Sequence, residues 1–472
     1  MKLTFHGGAR RVTGSMYLLE FDDEYKVLID CGSKIDGGQV NLERYEYGLF
    51  PFDASLVNLL ILTHANIDHS GQIPNLYNAG FEGQVLCTSP TLDLTELLLH
   101  DAANLNLKVV SRIEKGHKRS KKWKSIDSEG YYLQKQVNEA MANFVPLAMN
   151  QKFKFKDNAH VTFLPAGHLL GAAYVYIEFM DNGEKKTIGF SGDIGRDNYP
   201  LLPNPSIMPP VDYLVMETTY GSRLHTDTHT PVEILKEIIQ KACVEVPGRL
   251  IIPAFSVGRT QALLYTLNKL YTEEGFKPIK VFTDSPLAKS STKVHEKYKS
   301  TLNKEARAFF EENDNLFDFE NLNFISTNAE SKEISNHAEP CIIISASGMI
   351  KGGRVEYHIA QNIENPYATV LMIGYASEDS IGGKLLRGDV TKIQVMDRNL
   401  DVNAQIRKTD VFSGHADQAD LLRFIGSQDK NKLKKVFLIH GEYEAMLNFK
   451  DILSDKGYQQ VEIPEMHQSF EL

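Results

Sequence analysis

The segment Leu62-Thr-His-Ala-Asn-Ile-Asp-His69 contains the residue types of a metal-ligand cluster with one member missing. His64, Asp68 and His69 directly follow an apolar run, where a buried strand is expected to end. Imidazole and carboxylate groups crowded at a strand end favour a divalent metal such as zinc. A third histidine at position 66 would complete the spacing His-x-His-x-Asp-His, but the chain has Asn66 there. We therefore expect metal chemistry, with one ligand in question.

Further candidate residues follow apolar runs elsewhere in the chain: His168 in Pro165-Ala-Gly-His-Leu-Leu-Gly171, Asp193 in Ser191-Gly-Asp-Ile-Gly-Arg196 and His440 in Leu438-Ile-His-Gly-Glu442. Taken singly, each is more typical of a structural histidine, a turn or a helix cap. Polar groups nevertheless follow predicted strands repeatedly, at Asp30, His64, Asp193, Glu217, Ser347 and His440. Because ligand sites of α/β proteins gather at the carboxyl ends of strands, the pattern predicts one site built from distant segments.

Short β-branched runs alternate with helical segments, which predicts an α/β fold. The predicted strands are 25–30, 58–63, 160–164, 174–179, 186–190, 213–216, 249–253, 279–283, 341–345, 369–375 and 435–439. Asp181-Asn-Gly183 predicts a tight hairpin turn between two of them, because Asn-Gly readily adopts positive φ angles.

Composition excludes some classes of protein. The chain has 472 residues and a formal net charge of −10, which disfavours a general polyanion binder but allows a local basic patch. It shows no apolar core of a signal peptide and no run long enough to span a membrane, so we expect a cytoplasmic protein with no membrane partner. Cys31, Cys87, Cys243 and Cys341 are widely spaced and predict buried, reduced thiols.

The ordered motifs resemble those of a known family. Asp30, His64-x-x-x-Asp68-His69, His168 and Asp193 are similar to the metallo-β-lactamase pattern. The three added motifs of the β-CASP nucleases resemble Glu217 in Met216-Glu-Thr-Thr-Tyr-Gly, His415 in Phe412-Ser-Gly-His-Ala-Asp417 and His440 in His-Gly-Glu. Supporting stretches are 8–15, 253–261, 284–288 and 345–349, and the resemblance extends from about residue 5 to residue 465. Similar patterns occur in bacterial and archaeal homologues of the mRNA 3′-end cleavage subunit.

The resemblance implies an α/β fold, namely a metallo-β-lactamase αββα sandwich with an inserted α/β β-CASP domain. The expected boundaries are 1–211 for the first part of the metallo-β-lactamase domain, 212–400 for the β-CASP domain and 401–472 for the return to the first domain. The active site is expected in the cleft between the two domains. Family members often dimerise through the C-terminal part, which implies a homodimer.

The resemblance also implies a division of the ligands between two zinc ions. One ion is expected at His64, His168 and position 66, the other at Asp68, His69 and His440, with Asp193 bridging them. Such a pair of ions activates a water molecule and clamps the scissile phosphate.

In catalysis the resemblance assigns roles to Asp68, His415 and Glu217. His415 is expected to protonate the leaving oxygen, and Glu217 to orient a neighbouring histidine. The implied substrate is single-stranded RNA.

Substrate contacts are predicted at two glycine-containing stretches that precede helices. Backbone amides near Ser256 and Arg259, and near Ser347 and Gly348, suit phosphate oxygens, and arginine can bind phosphate through two hydrogen bonds. An equally good interpretation is that these glycines only permit strand-to-helix turns. The basic segment 108–124, which includes the only tryptophan, is either an RNA-guiding arm or, more often for such runs, a solvated helix.

Asn66 leaves several hypotheses open. An amide oxygen is a poor zinc ligand and better suits manganese or magnesium. The chain is then a ribonuclease with a weakened or exchanged first metal, a non-cleaving RNA-binding or partner subunit, or an ordinary nuclease into which Asn66 was introduced. A metallo-hydrolase of a small molecule is a further alternative, because the fold alone does not set the substrate. The other ligands are all retained, which favours the ribonuclease.

Overall fold

The structure, a computed structural model, describes residues 1–22, 24–36, 39–117, 130–181, 183–374, 376 and 380–472. Its strands are β1 Lys2–Gly7, β2 Met16–Glu20, β3 Lys26–Ile29, β4 Lys34–Asp36, β5 Gln39–Asn41, β6 Leu59–Ile61, β7 Gln84–Cys87, β8 Phe144–Pro146, β9 Lys152–Lys156, β10 Ala159–Pro165, β11 Ala173–Asp181, β12 Glu184–Phe190, β13 Tyr213–Glu217, β14 Arg249–Pro253, β15 Lys280–Asp284, β16 Leu322–Phe324, β17 Cys341–Ser345, β18 Ala368–Met372, β19 Lys392–Val395, β20 Arg398–Asp401, β21 Gln405–Lys408, β22 Lys435–Ile439, β23 Val461–Glu462 and β24 Ser469–Glu471. Its α-helices are α1 Ile67–Ser70, α2 Ile73–Asn78, α3 Ser89–His117, α4 Gln134–Met141, α5 Pro231–Ile239, α6 Arg259–Thr272, α7 Pro286–Lys297, α8 Lys304–Asn313, α9 Asn328–Glu333, α10 Val355–Asn362, α11 Ile381–Arg387, α12 Gln418–Gly426 and α13 Tyr443–Asp455.

Two seven-stranded sheets pack face to face and form a sandwich. Their strand orders are β24-β1-β2-β3-β6-β7-β8 and β23-β22-β13-β12-β11-β10-β9. Aromatic side chains from both sheets meet between them: the ring centroids of Phe5 and Phe437 are 5.1 Å apart, and those of Tyr17 and Phe190 are 6.3 Å apart. This shared core confirms the predicted sandwich.

A third sheet belongs to the inserted domain. Its six strands have the order β16-β15-β17-β14-β18-β21, and every neighbouring pair is parallel. The central strand β17, Cys-Ile-Ile-Ile-Ser, is buried along its whole length, as expected for a parallel strand covered by helices on both faces. The predicted α/β insertion is therefore present.

Sheet membership differs slightly from the predicted domain boundaries. Strand β13 follows residue 212 but pairs with β12 and β22 in the second sheet of the sandwich. Strand β21 follows residue 400 but pairs with β18 in the third sheet. The chain therefore leaves the sandwich after Glu217 and leaves the third sheet after Lys408, because hydrogen-bonded neighbours decide to which sheet a strand belongs.

Other predictions can be compared directly with the structure. The four cysteines are free and buried, as predicted. Residues Asp181 and Glu184 pair at the end of the β11–β12 hairpin, which places a two-residue connection at the predicted turn. Residues 118–129 lie outside the described part of the chain, so the basic segment is described only as the end of α3. Within the described residues, no helix combines the length and apolarity needed to cross a membrane.

A close backbone approach near the predicted site involves Gly195, whose amide donates to the Ala166 carbonyl oxygen at 2.8 Å. A Cβ atom at Gly195 would stand 2.1 Å from the carbonyl carbon of Gly167 and 2.6 Å from the nitrogen of His168. Only glycine therefore fits between the segment that carries Asp193 and the loop that carries His168.

We predict that Gly195→Ala destabilises the protein by about 1–3 kcal/mol, because a methyl group there must displace backbone atoms. Denaturant unfolding followed by circular dichroism measures this, and the bound-metal content should fall as well. Gly426→Ala is the matched control, because no atom of the described chain outside its helix lies within 4 Å of the added methyl group. Equal stability of the two variants would contradict the close packing at Gly195.

Candidate metal and catalytic site

The first ligand segment is built onto the end of β6. The backbone nitrogen and Oγ1 of Thr63 donate to the two oxygens of the Asp30 carboxylate, at 2.8 and 2.9 Å. Asp30 has a φ of 58° and is fully buried at the end of β3. The chain then turns through Asn66 into the short helix α1, which carries Asp68 and His69. Two neighbouring parallel strands thus fix where these ligands lie.

The Asp193 carboxylate lies at the centre of four imidazole rings. Its Oδ2 is 3.4 Å from Nε2 of His64 and 3.5 Å from Nε2 of His168. Its Oδ1 is 3.2 Å from Nε2 of His69 and 3.5 Å from Nδ1 of His440. All five residues are buried. Each carboxylate oxygen therefore faces a different pair of histidines.

Asp68 extends the second half of this cluster, with its Oδ2 3.4 Å from Nε2 of His440. Among the described residues, three groups of potential metal ligands have their donor atoms within 4.8 Å of one another: His64, His69 and Asp193; Asp68, His69 and His440; and His168, Asp193 and His415. The second group matches the ligand set predicted for one ion. In the other half, His168 is grouped with His415, which was predicted as an acid and not as a ligand.

The donor set fits a divalent ion. In the described part of the chain, Nε2 of His64 and Oδ1 of Asp193 are buried without a hydrogen-bond partner. Buried polar atoms are rarely left unpaired, because losing water without a replacement costs about 1–3 kcal/mol. Nitrogen and carboxylate oxygen atoms are the ligands that zinc prefers. The residues that would hold such ions are the six predicted ones, His64, Asp68, His69, His168, Asp193 and His440.

The side chain of Asn66 lies where the missing histidine was expected, with its Nδ2 3.3 Å from Nε2 of His168. Nδ1 of His168 is 2.9 Å from the carbonyl oxygen of Gly414, which can only accept, so the His168 proton is on Nδ1. Nε2 therefore carries the lone pair, and Asn66 donates to it. The Asn66 amide therefore occupies Nε2 of His168, the atom that would bind a metal, with a hydrogen bond. The amide would have to rotate before its oxygen could bind a metal.

The two halves of the cluster have opposite protonation tendencies. Burial lowers the pKa of His64, helped by the charge of His69, and burial together with His415 lowers the pKa of His168 well below its ordinary value. Burial opposes charge on His69 and His440 too, but Asp193 and a second carboxylate outweigh it and raise the pKa of both. Metal binding in that half must therefore displace protons.

The carboxylates are held in their charged form. Burial opposes ionisation of Asp193, but the nearby imidazoles, led by His440 and His69, hold its pKa well below the ordinary value. Burial likewise opposes ionisation of Asp68, and the hydrogen bond with His440 outweighs it and lowers the pKa. Both side chains are thus held as anions, the form in which a carboxylate could bind a cation.

Two residues without a predicted role orient the ligand histidines. Oδ2 of Asp30 is 2.7 Å from Nδ1 of His69, which directs Nε2 of that ring towards Asp193. Oγ1 of Thr219 is 3.1 Å from Nδ1 of His440. Partners of this kind fix the orientation of a metal-binding histidine and raise its basicity. Asp30 could be recognised in the sequence by its position after a strand, whereas Thr219 lies in the quoted Met216-Glu-Thr-Thr-Tyr-Gly motif but nothing there indicates its contact with His440.

Glu217, which was expected to orient a neighbouring histidine, forms a carboxylate–histidine pair with His415. Oε1 of Glu217 is 3.1 Å from Nδ1 of His415, and the buried carboxylate also accepts the amides of Ile194 at 2.6 Å and Thr219 at 3.1 Å. The ring of His415 lies 4.5 Å from the ring of His168, and its Nδ1 is 4.0 Å from Oδ2 of Asp193. The pair therefore borders the ligand cluster directly.

A second pair, His225 and Asp410, contacts the backbone of His415. No pattern in the sequence predicts this pair. Nε2 of His225 donates to the carbonyl oxygen of His415 at 3.0 Å, and Nδ1 of His225 is 3.6 Å from Oδ2 of Asp410. Burial opposes ionisation of Asp410, but the nearby imidazole of His225 and the backbone amide of Thr226 lower its pKa. These contacts join the segment that leaves the sandwich to the segment that returns to it.

Of the predicted substrate contacts, Arg259 reaches the ligand cluster. Its Nη1 donates to the hydroxyl of Tyr199 at 3.0 Å, and a Cβ atom on Gly414 would stand 2.2 Å from its guanidinium. Gly414 directly precedes His415 and accepts the hydrogen bond of His168. A cationic side chain of the inserted domain thus lies beside the predicted acid.

The other predicted contacts are already engaged within the chain. The amides of Gly258, Arg259 and Thr260 donate to Oε1 of Gln261 and to the carbonyl oxygens of Val257 and Phe255, respectively. The expectation that the amides at this helix start bind phosphate is therefore not supported.

Ser256 Oγ is 2.8 Å from Ser285 Oγ, and Ser347 Oγ donates to the Lys351 carbonyl oxygen at 2.8 Å. Gly348 lies against the ring of Phe255. These three predicted residues lie on the inserted domain, and within the described part of the chain none of their hydrogen bonds reaches the ligand cluster.

The fold and the buried His and Asp ligands define a metallo-hydrolase. Three family models match the chain: a metallo-β-lactamase superfamily domain at residues 18–187, a β-CASP domain at residues 260–385 and a Zn-dependent metallo-hydrolase RNA specificity domain at residues 399–464. The chain therefore belongs to the β-CASP family of the metallo-β-lactamase superfamily.

Three relatives match almost the whole chain. Ribonuclease TTHA0252 of Thermus thermophilus is 29% identical, and the match covers 97% of both chains. An RNase J-like protein of Methanocaldococcus jannaschii is 29% identical over 95% of this chain and 94% of its own length. Transcription termination factor FttA of the same organism is 29% identical over 98% of this chain and 70% of its own length.

We predict that Asp30→Asn weakens zinc binding by about 10–100-fold, because the carboxylate that orients His69 loses its charge. A competition titration with a chromophoric chelator measures the affinity. Asp22→Asn is the matched control, since Asp22 pairs with Lys156 on the surface. Unchanged zinc affinity of Asp30→Asn would show that His69 does not need this partner.

Proposed function

We propose that the chain is a metal-dependent ribonuclease that hydrolyses phosphodiester bonds of single-stranded RNA. The observation that carries the proposal is the Asp193 carboxylate, whose two oxygens face two pairs of histidines next to the pair of Glu217 and His415. A phosphodiester needs an activated nucleophile, charge neutralisation and a general acid. The RNA specificity domain at residues 399–464 and the relatives named ribonuclease support RNA as the substrate.

The reaction assigns a separate task to each group. Divalent ions held by the ligand cluster would supply an activated water and positive charge beside the scissile phosphate. We infer that Asp68, whose side chain is 20% exposed, accepts a hydrogen bond from the attacking water. Glu217 holds Nδ1 of His415, which leaves Nε2 to give a proton to the leaving oxygen. Arg259 lies where it can bind the phosphate.

The proposal includes the nature of the metal and the setting. We infer zinc at Asp68, His69 and His440, and weaker zinc or a harder ion such as manganese or magnesium beside Asn66. Because Asn66 lowers the number of nitrogen ligands, activity of this sequence should be weak. We further propose a cytoplasmic protein without a membrane partner that dimerises through its C-terminal part, as other members of the family do.

The second candidate is a non-cleaving RNA-binding subunit. The hydrogen bond from Asn66 to His168 favours it, because it covers a ligand atom and stabilises the metal-free form of that half. A small-molecule hydrolase is less well supported, since Arg259 of the inserted domain lies beside the predicted acid and suits an extended anionic substrate.

We predict that Asn66→His raises bound zinc towards two ions per chain and increases the rate of RNA cleavage by at least tenfold. The physical reason is that an imidazole supplies the nitrogen ligand that an amide lacks. Elemental analysis gives the zinc content, and a labelled single-stranded RNA in a gel assay gives the rate.

Asn399→His, which adds a histidine on an exposed strand, is the control and should change neither quantity. If Asn66→His binds two ions and RNA yet does not cleave with zinc, manganese or magnesium, the binding subunit replaces the ribonuclease.

A second prediction tests whether His415 acts as the general acid or binds a metal. In the Asn66→His background, His415→Ala should lower kcat by about 10²–10⁴-fold, because a general acid contributes that much, and leave the zinc content unchanged. His229→Ala, at an exposed position, is the control. Parallel loss of zinc and activity would show that His415 is a ligand, as its grouping with His168 and Asp193 allows.

A further inference from the structure

An aromatic ring is exposed at the edge of the inserted sheet that carries Arg259 to the site. Phe255 follows the end of β14 and has 42% of its surface exposed. Strand β17 lies beside β14 in parallel register, and the amide of Ala254 donates to the carbonyl oxygen of Ser345 at 3.0 Å. The loops after both strands therefore leave the sheet at its carboxyl edge, where α/β proteins bind ligands.

A tight turn connects the ring of Phe255 to Arg259, which lies beside the ligand cluster. The carbonyl oxygen of Phe255 accepts both the amide and the hydroxyl of Thr260, at 3.2 and 2.8 Å. Arg259, within the same turn, contacts Gly414 next to the predicted acid. Phe255 and the proposed phosphate contact therefore belong to one rigid unit.

One side of the ring is bounded by a residue without a side chain. A Cβ atom on Gly348 would stand 3.1 Å from one ring carbon of Phe255 and 3.3 Å from the next. The bare backbone thus supports the ring, while a large part of the phenyl surface stays open to solvent. An exposed phenyl group gains free energy when a flat apolar surface covers it.

We propose that Phe255 is a stacking platform for an unpaired nucleobase of the RNA substrate. The inference rests on the proposed function, because it places the base next to a phosphate that Arg259 binds. Every base has a π face, so such a contact holds single-stranded nucleic acid with little dependence on sequence. Phe255 then positions the strand and takes no part in bond breaking.

The experiment measures equilibrium binding of the full chain to a single-stranded RNA in which 2-aminopurine replaces successive bases. Stacking on Phe255 should quench the probe strongly at one position. Phe255→Ala should weaken binding by about 5–100-fold and abolish that quenching, and Phe255→Tyr should restore both. Phe255→Leu keeps apolar bulk without a π face and should fail to restore the quenching.

Tyr367→Ala is the matched control. Tyr367 is 66% exposed and directly precedes β18, so it lies at the amino edge of the same sheet. Its substitution should leave the affinity and the quenching unchanged. Thermal unfolding of each variant checks that the fold is intact, and in Asn66→His the Phe255→Ala change should raise KM much more than it lowers kcat.

The outcomes separate this inference from the proposed function. If the unmodified chain binds RNA and Phe255→Ala binds it equally well, the stacking platform is wrong and the ribonuclease stands. If Phe255→Ala and Tyr367→Ala weaken binding equally, the effect is not specific to this edge, and the inference is also wrong. If the unmodified chain does not bind single-stranded RNA, both fail.

Discussion

The buried carboxylate of Asp193 is the group on which the arrangement of the site depends. Burying a carboxylate is costly unless opposite charges and hydrogen-bond donors surround it. Four imidazoles from three separate parts of the chain surround Asp193, and the attraction of His440, His69 and His64 keeps it ionised. The hydrogen bonding around Asp193 is incomplete, because among the described residues Oδ1 of Asp193 and Nε2 of His64 remain without hydrogen bonds. A cluster of this kind is stabilised further by cations, which links metal binding to the stability of the site.

The fold meets this requirement by bringing strand ends together. Asp30 follows β3, the segment that carries His64 follows β6, and Asp193 follows β12. Glu217 is the last residue of β13, and His440 follows β22. Around the ligands, Asp30 and Thr219 orient His69 and His440, while Glu217 orients His415. The inserted domain adds Arg259 from its own carboxyl edge. Arg259 of the inserted domain therefore lies against Gly414, next to His415 and the ligand cluster.

The sequence predicts the ligands better than their surroundings. Strands 249–253, 341–345 and 435–439 have the predicted bounds because their apolar runs are continuous, and Asp30, His64, Asp193 and His440 follow strands as expected. The N-terminal strands β1 and β2 were missed, since β1 depends on pairing with β24 from the far end of the chain. The pair of His225 and Asp410 and the hydrogen bond between Asn66 and His168 join residues about a hundred or more positions apart. Such contacts follow from tertiary packing, and no local pattern reveals them.

We propose that Asn66 makes the two halves of the site unequal in their affinity for zinc. Isothermal titration of the metal-free chain with zinc, with bound ions counted by native mass spectrometry, tests it most directly. We expect one tight ion and a second that binds at least tenfold more weakly, with protons released in the tight step because His69 and His440 have raised pKa values. Two ions of equal affinity, or no zinc bound at all, would contradict the account.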